Sequence, residues 1–225
     1  EAHAIAAAVE RRGPCGTVES LWRASGIGAR ALRSLANADA FGSMGLDRQR
    51  ALWQIRPLRD APMPLFEQAD TTDTGGLGCL PVLPREMQVL SDYRSTGLSL
   101  KAHPVSMIRE HLDARGVISA ASLRSESACP QGAVGSVAGL VLCRQRPGTA
   151  SGGTFITLED ETAIANLIIW RDTFERFRRV GRLASLMLAR GTIERAGEVV
   201  HVHVRELESL DDRLEGLSTR SRDFH

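Results

Sequence analysis

Residues 134–210 constrain the fold of this chain more than any other stretch, because they alternate short β-type runs with one helical run. The β-type runs are rich in aliphatic and β-branched residues, and turns that contain glycine or charged residues separate them. Apolar residues take helical spacing only between the third and fourth runs. The sequence therefore predicts strands at 134–146, 154–158 and 163–170, a short helix at 172–180, and a final hairpin of strands at 184–194 and 198–208.

Three strands, a short helix and two strands within about 80 residues are typical of the OB-fold, a partly open five-stranded Greek-key barrel. We therefore predict an α+β multidomain chain with an OB-fold barrel at 124–210. Barrels of this kind most often bind single-stranded nucleic acid on strands two and three and in the loops beside them.

Alternation along these two strands predicts which side chains point away from the barrel. The aliphatic residues of the second strand should fill the interior, so Phe155 and Thr157 should point outward. Asn166 is the polar residue of the third strand, which places it outward as well. The same rule puts Trp170 outside, unless the helix that follows covers it.

An outward aromatic side chain beside a loop that begins with Arg144 and Arg146 can stack on a base and hold phosphates. The alternative is that Phe155 belongs to the core and the two arginines form a solvated rim. His201 and His203 share one face of the last strand, but two ligands without a third do not predict a metal site.

The first 56 residues predict an all-α domain with a helix-hairpin-helix. Helical segments at 18–24 and 29–38 flank the turn that contains Gly26 and Gly28. Such a turn brings backbone N–H groups and a positive helix end close to a phosphate, and Arg30 and Arg33 could add charge. An ordinary helical corner, in which glycine only ends the first helix, is the alternative.

The remaining segments have less specific compositions. Residues 57–83 are rich in Pro, Gly and Thr and are predicted to be a flexible linker. Leu65 and Phe66 within it form a possible docking peptide, with chance or packing as the alternative. Two helices make 84–123 a helical connector, and residues 211–225 are predicted to be a polar, frayed tail.

Several functional classes are disfavoured by what the sequence lacks. It contains no P-loop, GxGxxG, HExxH or GxSxG motif, so no catalytic residue and no cofactor are predicted for this chain. Four cysteines without a CxxC pair disfavour zinc and disulfides and favour a reducing cytoplasm. No apolar run is long enough to span a membrane. Because the chain begins at Glu1 in mid-helix, we expect it to be the carboxyl-terminal piece of a longer protein.

Four stretches resemble one family, the bacterial C-family DNA polymerases, and within it the error-prone, damage-inducible branch of the alpha subunit. They are SLWRASGIGARALRSLANADAFGSMGLDRQRALWQIR (20–56), DYRSTGLSLKAHP (92–104), AGLVLCRQRPGTASGGTFITLEDETAIANLIIWRDTFERFRR (138–179) and SRDFH (221–225). The resemblance implies the carboxyl-terminal helix-hairpin-helix and OB domains of a large enzyme. The family's three catalytic aspartates, and the magnesium expected with them, belong to a polymerase core with no counterpart in this sequence.

The resemblance implies binding roles. In the family the helix-hairpin-helix holds duplex DNA, which corresponds to Gly26, Gly28, Arg30 and Arg33. The OB domain lies near the single-stranded template, and the barrel is also similar to the anticodon-binding domains of class II tRNA synthetases, in which a Phe at the place of Phe155 stacks on a base. The DNA-binding residues expected on the barrel are Arg144, Arg146, Phe155, Thr157 and Asn166.

The resemblance also implies partners. Replicative members carry a glutamine-led clamp-binding peptide ending in Leu/Met-Phe; here Leu65 and Phe66 remain without the glutamine, so sliding-clamp binding is expected to be weak or indirect. An inactive Y-family-like translesion accessory protein is the expected partner, and the expected location is the bacterial cytoplasm, at the nucleoid during repair. The alternative function is a protein-interaction platform for that accessory protein, with incidental DNA binding, which the 14 arginines and 14 acidic residues of 124–225 keep open.

Overall fold

The computed structural model describes residues 1–58, 80–147, 152–197 and 199–214, together with the backbone of 222–224. The chain divides into two compact units, Glu1–Pro84 and Arg85–His225. Across the described residues, no helix combines the length and the apolar character that crossing a bilayer requires.

The first unit is a small helical domain, and two of the four α-helices described in it begin at residues whose side chains cap them. Thr17 and Ser20 form a capping box: the Ser20 N–H donates to Thr17 Oγ1 at 3.1 Å and the Thr17 N–H donates to Ser20 Oγ at 3.2 Å. Asp47 caps the last helix by accepting from the Arg50 N–H at 2.8 Å. Val18, Leu32 and Ile55 are fully buried in its core. The helices are α1 (Ala2–Arg12), α2 (Val18–Ser25), α3 (Ala29–Asn37) and α4 (Arg48–Ile55), with a 3₁₀ turn at Gly42–Met44.

The second unit is a closed barrel of five strands. Its strands pair in the order β1-β2-β3-β5-β4 and back to β1, with β3 and β5 parallel and the other pairs antiparallel. Two short helices connect β3 to β4. This strand order and helix position are those of the OB-fold, as predicted. The elements are β1 (Val134–Gln145), β2 (Thr154–Glu159), β3 (Ile164–Ile169), α7 (Arg171–Arg176), α8 (Arg178–Leu183), β4 (Leu186–Ala196) and β5 (Val199–Ser209).

The predicted connector packs on the outside of the barrel. Leu90, Val105 and Leu112 are buried against Leu140 of β1 and Leu186 of β4. Because these strands present aliphatic side chains on both faces, the helices cover a surface that would otherwise be exposed. The connector comprises α5 (Arg85–Thr96), a 3₁₀ turn at Pro104–Ile108, α6 (Arg109–Ala114) and a 3₁₀ turn at Ser122–Arg124.

Two segments differ from the sequence-based prediction. The helix expected at 172–180 is two helices, α7 and α8, which meet at Phe177. The tail is more ordered than predicted at its two ends: Asp211–Arg213 is a 3₁₀ turn, and Arg222–Phe224 (β6) pairs in parallel with β1. The 3₁₀ turn is held against the barrel by Asp211, whose carboxylate accepts from the N–H groups of Ser185 and Leu186 at 2.9 and 2.8 Å.

Candidate nucleic-acid interface

The outer face of β2, β3 and β5 carries two adjacent rows of side chains. The register pairs Phe155 with Ile168, and Ile168 with His203, so an aromatic, an aliphatic and an imidazole side chain form one row. The neighbouring row is polar and consists of Thr157, Asn166 and His201. All six residues are partly exposed, whereas their neighbours along β2 and β3 are buried. The outward orientation predicted for Phe155, Thr157 and Asn166 is therefore the one that the structure shows.

Trp170 extends the apolar row at the end of β3. Its side chain is 51% exposed, so the following helix leaves it open. Its ring centroid lies 6.1 Å from that of His203, with the two planes tilted by 32°. Phe155, Ile168, His203 and Trp170 together offer flat, exposed surface on which a planar base can stack.

An acidic side chain closes this face on the β4 side. Glu194 is exposed and lies opposite His201 in the β4–β5 pairing. Its Oε2 atom contacts Nε2 of His203. A phosphate is disfavoured beside this carboxylate, so the face is electrostatically better suited to a strand whose backbone lies toward β2.

Arginines mark the opposite rim, where β1 leads into β2 and β3 ends. Arg146 is exposed at the end of β1. Arg171 is exposed directly after Trp170 and lies beside Gly152, since a Cβ atom on that glycine would stand 3.7 Å from the Arg171 side chain. Neither guanidinium has a hydrogen bond or ion pair within the described ranges, which leaves both able to bind phosphate.

Arg144 does not lie at this rim, contrary to the prediction. Its guanidinium donates to the backbone carbonyls of Gly181 and Ala184 near the end of α8, from Nε to Gly181 at 2.8 Å. A bulge between Val141 and Cys143 shifts the β1–β2 register, so Arg144 pairs with the inward residue Ile156 instead of pointing out. Arg144 thus holds the helices at the end of the barrel, and we leave it out of the interface.

A buried ion-pair cluster fixes the turn between β2 and β3. The Asp160 side chain is fully buried and accepts from the N–H groups of Ala120 and Ala163 at 2.7 and 2.9 Å and from the Thr162 hydroxyl at 2.6 Å. Arg109 of the connector donates to Asp160 at 3.1 Å and to Glu161 at 2.5 and 3.0 Å. The acidic turn between β2 and β3 therefore has a structural role: it joins the helical connector to the barrel, and this joint consists of Asp160, Glu161 and Arg109.

The local environment changes the ionisation of this joint. Burial alone would raise the pKa of the Asp160 carboxyl group, but the hydrogen bonds from Thr162, Ala120 and Ala163 together hold that pKa below its ordinary value. Burial lowers the pKa of His103, despite the nearby carboxylate of Glu159. At neutral pH, Asp160 is therefore a charged carboxylate and His103 is a neutral imidazole.

The turn between α2 and α3 in the first unit has the backbone geometry that its glycines predict. Gly26 is left-handed (φ 66°) and ends α2, and Gly28 is extended and precedes α3. The intervening Ile27 is buried, which anchors the turn in the core. Arg30 and Arg33 are exposed on α3 one turn apart. Leu65 and Phe66, the predicted docking residues, lie outside the described residues.

Comparison with known proteins gives the chain a context. No family model matches it. It is 43% identical over 225 residues, 97% of its length, to a protein named error-prone DNA polymerase 1 from Rhizobium meliloti. It is also 42% identical to an error-prone DNA polymerase from Caulobacter vibrioides, in an alignment of 229 residues that covers 89% of this chain. The chain matches a C-terminal region of bacterial error-prone DNA polymerases. It spans 20% of the length of each of these two relatives.

The solved structures to which this chain is similar are more distant in sequence. Asparaginyl-tRNA synthetase from Pyrococcus horikoshii is 22% identical, with a TM-score of 0.35, covering 42% of this chain and 23% of the synthetase. The Stn1–Ten1 complex of S. pombe is 15% identical, with a TM-score of 0.31, covering 37% of this chain and 62% of that one.

Five residues of the candidate interface were not predicted as site residues: Ile168, Trp170, Arg171, His201 and His203. Ile168 and His203 fall beside Phe155 only through the β2–β3 and β3–β5 registers, which the sequence does not specify. Arg171 joins the rim because α7 begins immediately after Trp170. Alternation along β3 and β5 could have indicated Ile168 and His203, because it places Ile168 on the same face as Asn166 and His203 on the same face as His201.

Proposed function

We propose that this chain is a DNA-binding part of an error-prone DNA polymerase that acts in translesion synthesis and in mutagenesis induced by DNA damage. In this role the barrel guides single-stranded template on the outer face of β2, β3 and β5. On the same proposal, the first unit acts as a helix-hairpin-helix and holds the phosphates of duplex DNA. Nucleotidyl transfer and its magnesium belong, on this proposal, to a polymerase core outside this chain, and no catalytic step is assigned to residues within it.

The observation that carries the proposal is the row formed by Phe155, Ile168, His203 and Trp170 on the outer face of the barrel. Trp170 is exposed and the other three side chains are partly exposed, so apolar and aromatic surface is open to a ligand there. Base stacking on aromatic side chains contributes about 1–3 kcal/mol per base and tolerates any sequence. Tolerance of sequence is the property that a template guide requires.

Replacing Phe155 by alanine tests this assignment. We expect Phe155→Ala to weaken the binding of a labelled single-stranded oligonucleotide by about fivefold to a hundredfold, because one stacking partner is lost. Fluorescence anisotropy titrations at two salt concentrations measure the effect. Met87→Ala is the matched control, since it removes a partly exposed apolar side chain on α5. Equal affinity of the wild type and Phe155→Ala at both salt concentrations would contradict the assignment.

For the first unit, we propose that the start of α3 and the turn before it bind phosphates. The first N–H groups of α3 have no carbonyl partner within the helix, and the helix dipole is positive at this end. Arg30 and Arg33 add charge on the exposed face of α3. Contacts of this kind go to phosphates and do not read sequence, as a polymerase that must follow any duplex requires.

The second candidate function is recruitment of a translesion accessory protein, and through it an indirect or weak connection to the sliding clamp. The equal numbers of arginine and acidic residues in 124–225 favour it, because DNA-binding surfaces usually carry a net positive charge. Under this alternative the row around Phe155 contacts protein, so Phe155→Ala weakens capture of the accessory protein and leaves oligonucleotide affinity unchanged.

A further inference from the structure

The helices α7 and α8 carry a second concentration of positive charge in the barrel unit. Residues 171–183 contain five arginines and two acidic residues. Arg178, Arg179 and Arg182 are all exposed on α8, within six consecutive residues. The sequence predicts this segment only as a helix between two strands, and of its arginines only Arg171 belongs to the candidate interface.

The exposed arginines of α8 are mostly unpaired. Arg178 has Glu175 at 4.0 Å, the limit of an ion pair between two half-exposed side chains. Arg179 and Arg182 have no hydrogen bond or ion pair to any residue that the structure describes. Arg176 differs from these three, because it donates to the carbonyl of Arg205 at 2.5 Å and lies over the Phe177 ring.

Helix stability does not explain two of these arginines. Arg178 and Arg179 lie in the first turn of α8, where the helix dipole is positive and a cation is unfavourable. Acidic residues are preferred at such positions, and the first turn of α8 has none. Arg182, in the last turn, is favourable for the helix. A pair of cations placed against the dipole points to a use outside the helix.

The packing beneath α8 holds this helix against the barrel. Phe174 is buried in the barrel core, and Gly181 packs on its ring so closely that a Cβ atom would stand 2.8 Å away. Arg144 holds the carbonyls of Gly181 and Ala184 from β1. A six-residue helix would not persist without such contacts, and with them its charges have defined positions on the barrel.

We propose that Arg178, Arg179 and Arg182 form a second phosphate-binding surface, which holds the backbone of the same single strand beyond the bases that stack on the Phe155 row. The inference rests on the proposed function of that row. Arg171 links the two surfaces, because α7 begins directly after Trp170 and leads into α8. The ligand is the sugar-phosphate backbone of single-stranded DNA, bound through charge and without sequence preference.

A comparison of short and long oligonucleotides tests the inference in the complete 225-residue chain. An oligothymidylate of about 5 nucleotides fits the Phe155 row alone, whereas one of about 15 nucleotides approaches the largest site sizes of OB-folds. We expect the triple variant R178S/R179S/R182S to bind the long oligonucleotide about tenfold more weakly and the short one as the wild type does. The slope of log affinity against log salt for the long one should fall by about 2, given about 0.7 per phosphate.

Two further variants control for charge and folding. R11S/R12S/R124S removes the same three charges elsewhere and should bind both oligonucleotides as the wild type does. R178K/R179K/R182K keeps the charge and should retain most of the affinity for the long one. Equal binding of the long oligonucleotide by the wild type and the serine variant, or an equal loss in the control triple, would overturn the inference. A wild type that binds neither oligonucleotide would instead contradict the proposed function.

Discussion

Asp160 shows how one residue positions the interface. Its buried carboxylate joins the β2–β3 turn to the connector through Ala120 and Arg109, and that turn sets where Thr157 and Asn166 lie. In the sequence, Asp160 is one of three adjacent acidic residues in a turn between two predicted strands, where Asp is common. Its hydrogen bonds assign it to the scaffold.

Substitution of Asp160 should lower the stability of the barrel unit. Asp160→Asn replaces an acceptor of several hydrogen bonds with an amide that leaves Arg109 without a charged partner at this position, so the free energy of unfolding should fall by about 2–3 kcal/mol. Urea denaturation followed by circular dichroism measures it. Glu161→Gln is the control, because Glu161 is 20% exposed whereas Asp160 is 0% exposed, and its cost should be about 1 kcal/mol or less.

The wild type and Asp160→Asn should also differ in how their free energy of unfolding depends on pH in acid. The pKa of Asp160 is lower in the folded chain than in the unfolded chain, so the carboxylate stabilises the fold fully above its ordinary pKa of about 4. That contribution is lost as the pH falls below this value and through the lowered pKa. The difference in unfolding free energy between wild type and Asp160→Asn should therefore be constant near neutrality and shrink below about pH 4; a difference that grows there would contradict the assignment.

At the residue scale, alternation was a good guide on β2 and β3, whereas the expectation for Arg144 was based on its place at the start of an arginine-containing loop. Phe155, Thr157 and Asn166 face outward as their positions predict, because these strands are regular. Arg144 instead donates to the carbonyls of Gly181 and Ala184, and a bulge between Val141 and Cys143 shifts its register against β2. Nothing in the composition of that segment marks the bulge, which depends on the pairing with β2.

Among the elements, β1 closes the barrel, because it pairs with both β2 and β4. At Leu140 it pairs with Leu186 of β4 on one side and with Glu159 of β2 on the other. The strand is continuous through this point only because Gly139 has no side chain: a Cβ atom there would stand 2.6 Å from the Glu159 carbonyl oxygen. The glycines that interrupt this strand in the sequence are therefore part of its closure.

Gly139→Ala should strain the closure of the barrel. The added methyl group meets backbone atoms that cannot move without breaking the β1–β2 pairing, and we expect a loss of about 2–3 kcal/mol in the free energy of unfolding. Gly135→Ala is the matched control on the same strand, because its nearest neighbours are the side-chain ends of Ile118 and Ile193 at 3.3 Å. In thermal denaturation followed by circular dichroism, Gly135→Ala should have a higher melting temperature than Gly139→Ala. The reverse order would contradict this role for Gly139.

The order of elements followed from the sequence, but their exact composition did not. Each predicted strand is present with ends within about two residues, because hydrophobic alternation and turn residues agree. The break between α7 and α8 at Phe177 escaped prediction, since the apolar spacing of Phe174, Phe177 and Gly181 is compatible with one helix. Phe174, three residues before this break, is buried in the barrel core.

At the scale of the whole molecule, we propose that the two compact units bind two different forms of DNA. The barrel unit offers exposed aromatic groups, which suit unstacked bases. The helical unit offers a glycine turn, a helix start and two arginines, which suit the regular phosphates of a duplex. Neither feature alone distinguishes a polymerase part from another DNA-binding protein, and it is their combination with the sequence relationship that supports the proposed function.

The most direct test titrates the chain with single-stranded and duplex DNA in parallel, using the wild type, Phe155→Ala and R30S/R33S. We predict that Phe155→Ala loses affinity for the single strand by about fivefold or more and keeps its affinity for duplex, because stacking needs unpaired bases. R30S/R33S should weaken duplex binding, reduce its salt dependence and leave single-strand binding unchanged. If both variants reduced both affinities to the same extent, or neither reduced any, the assignment of separate DNA forms to the two units would be contradicted.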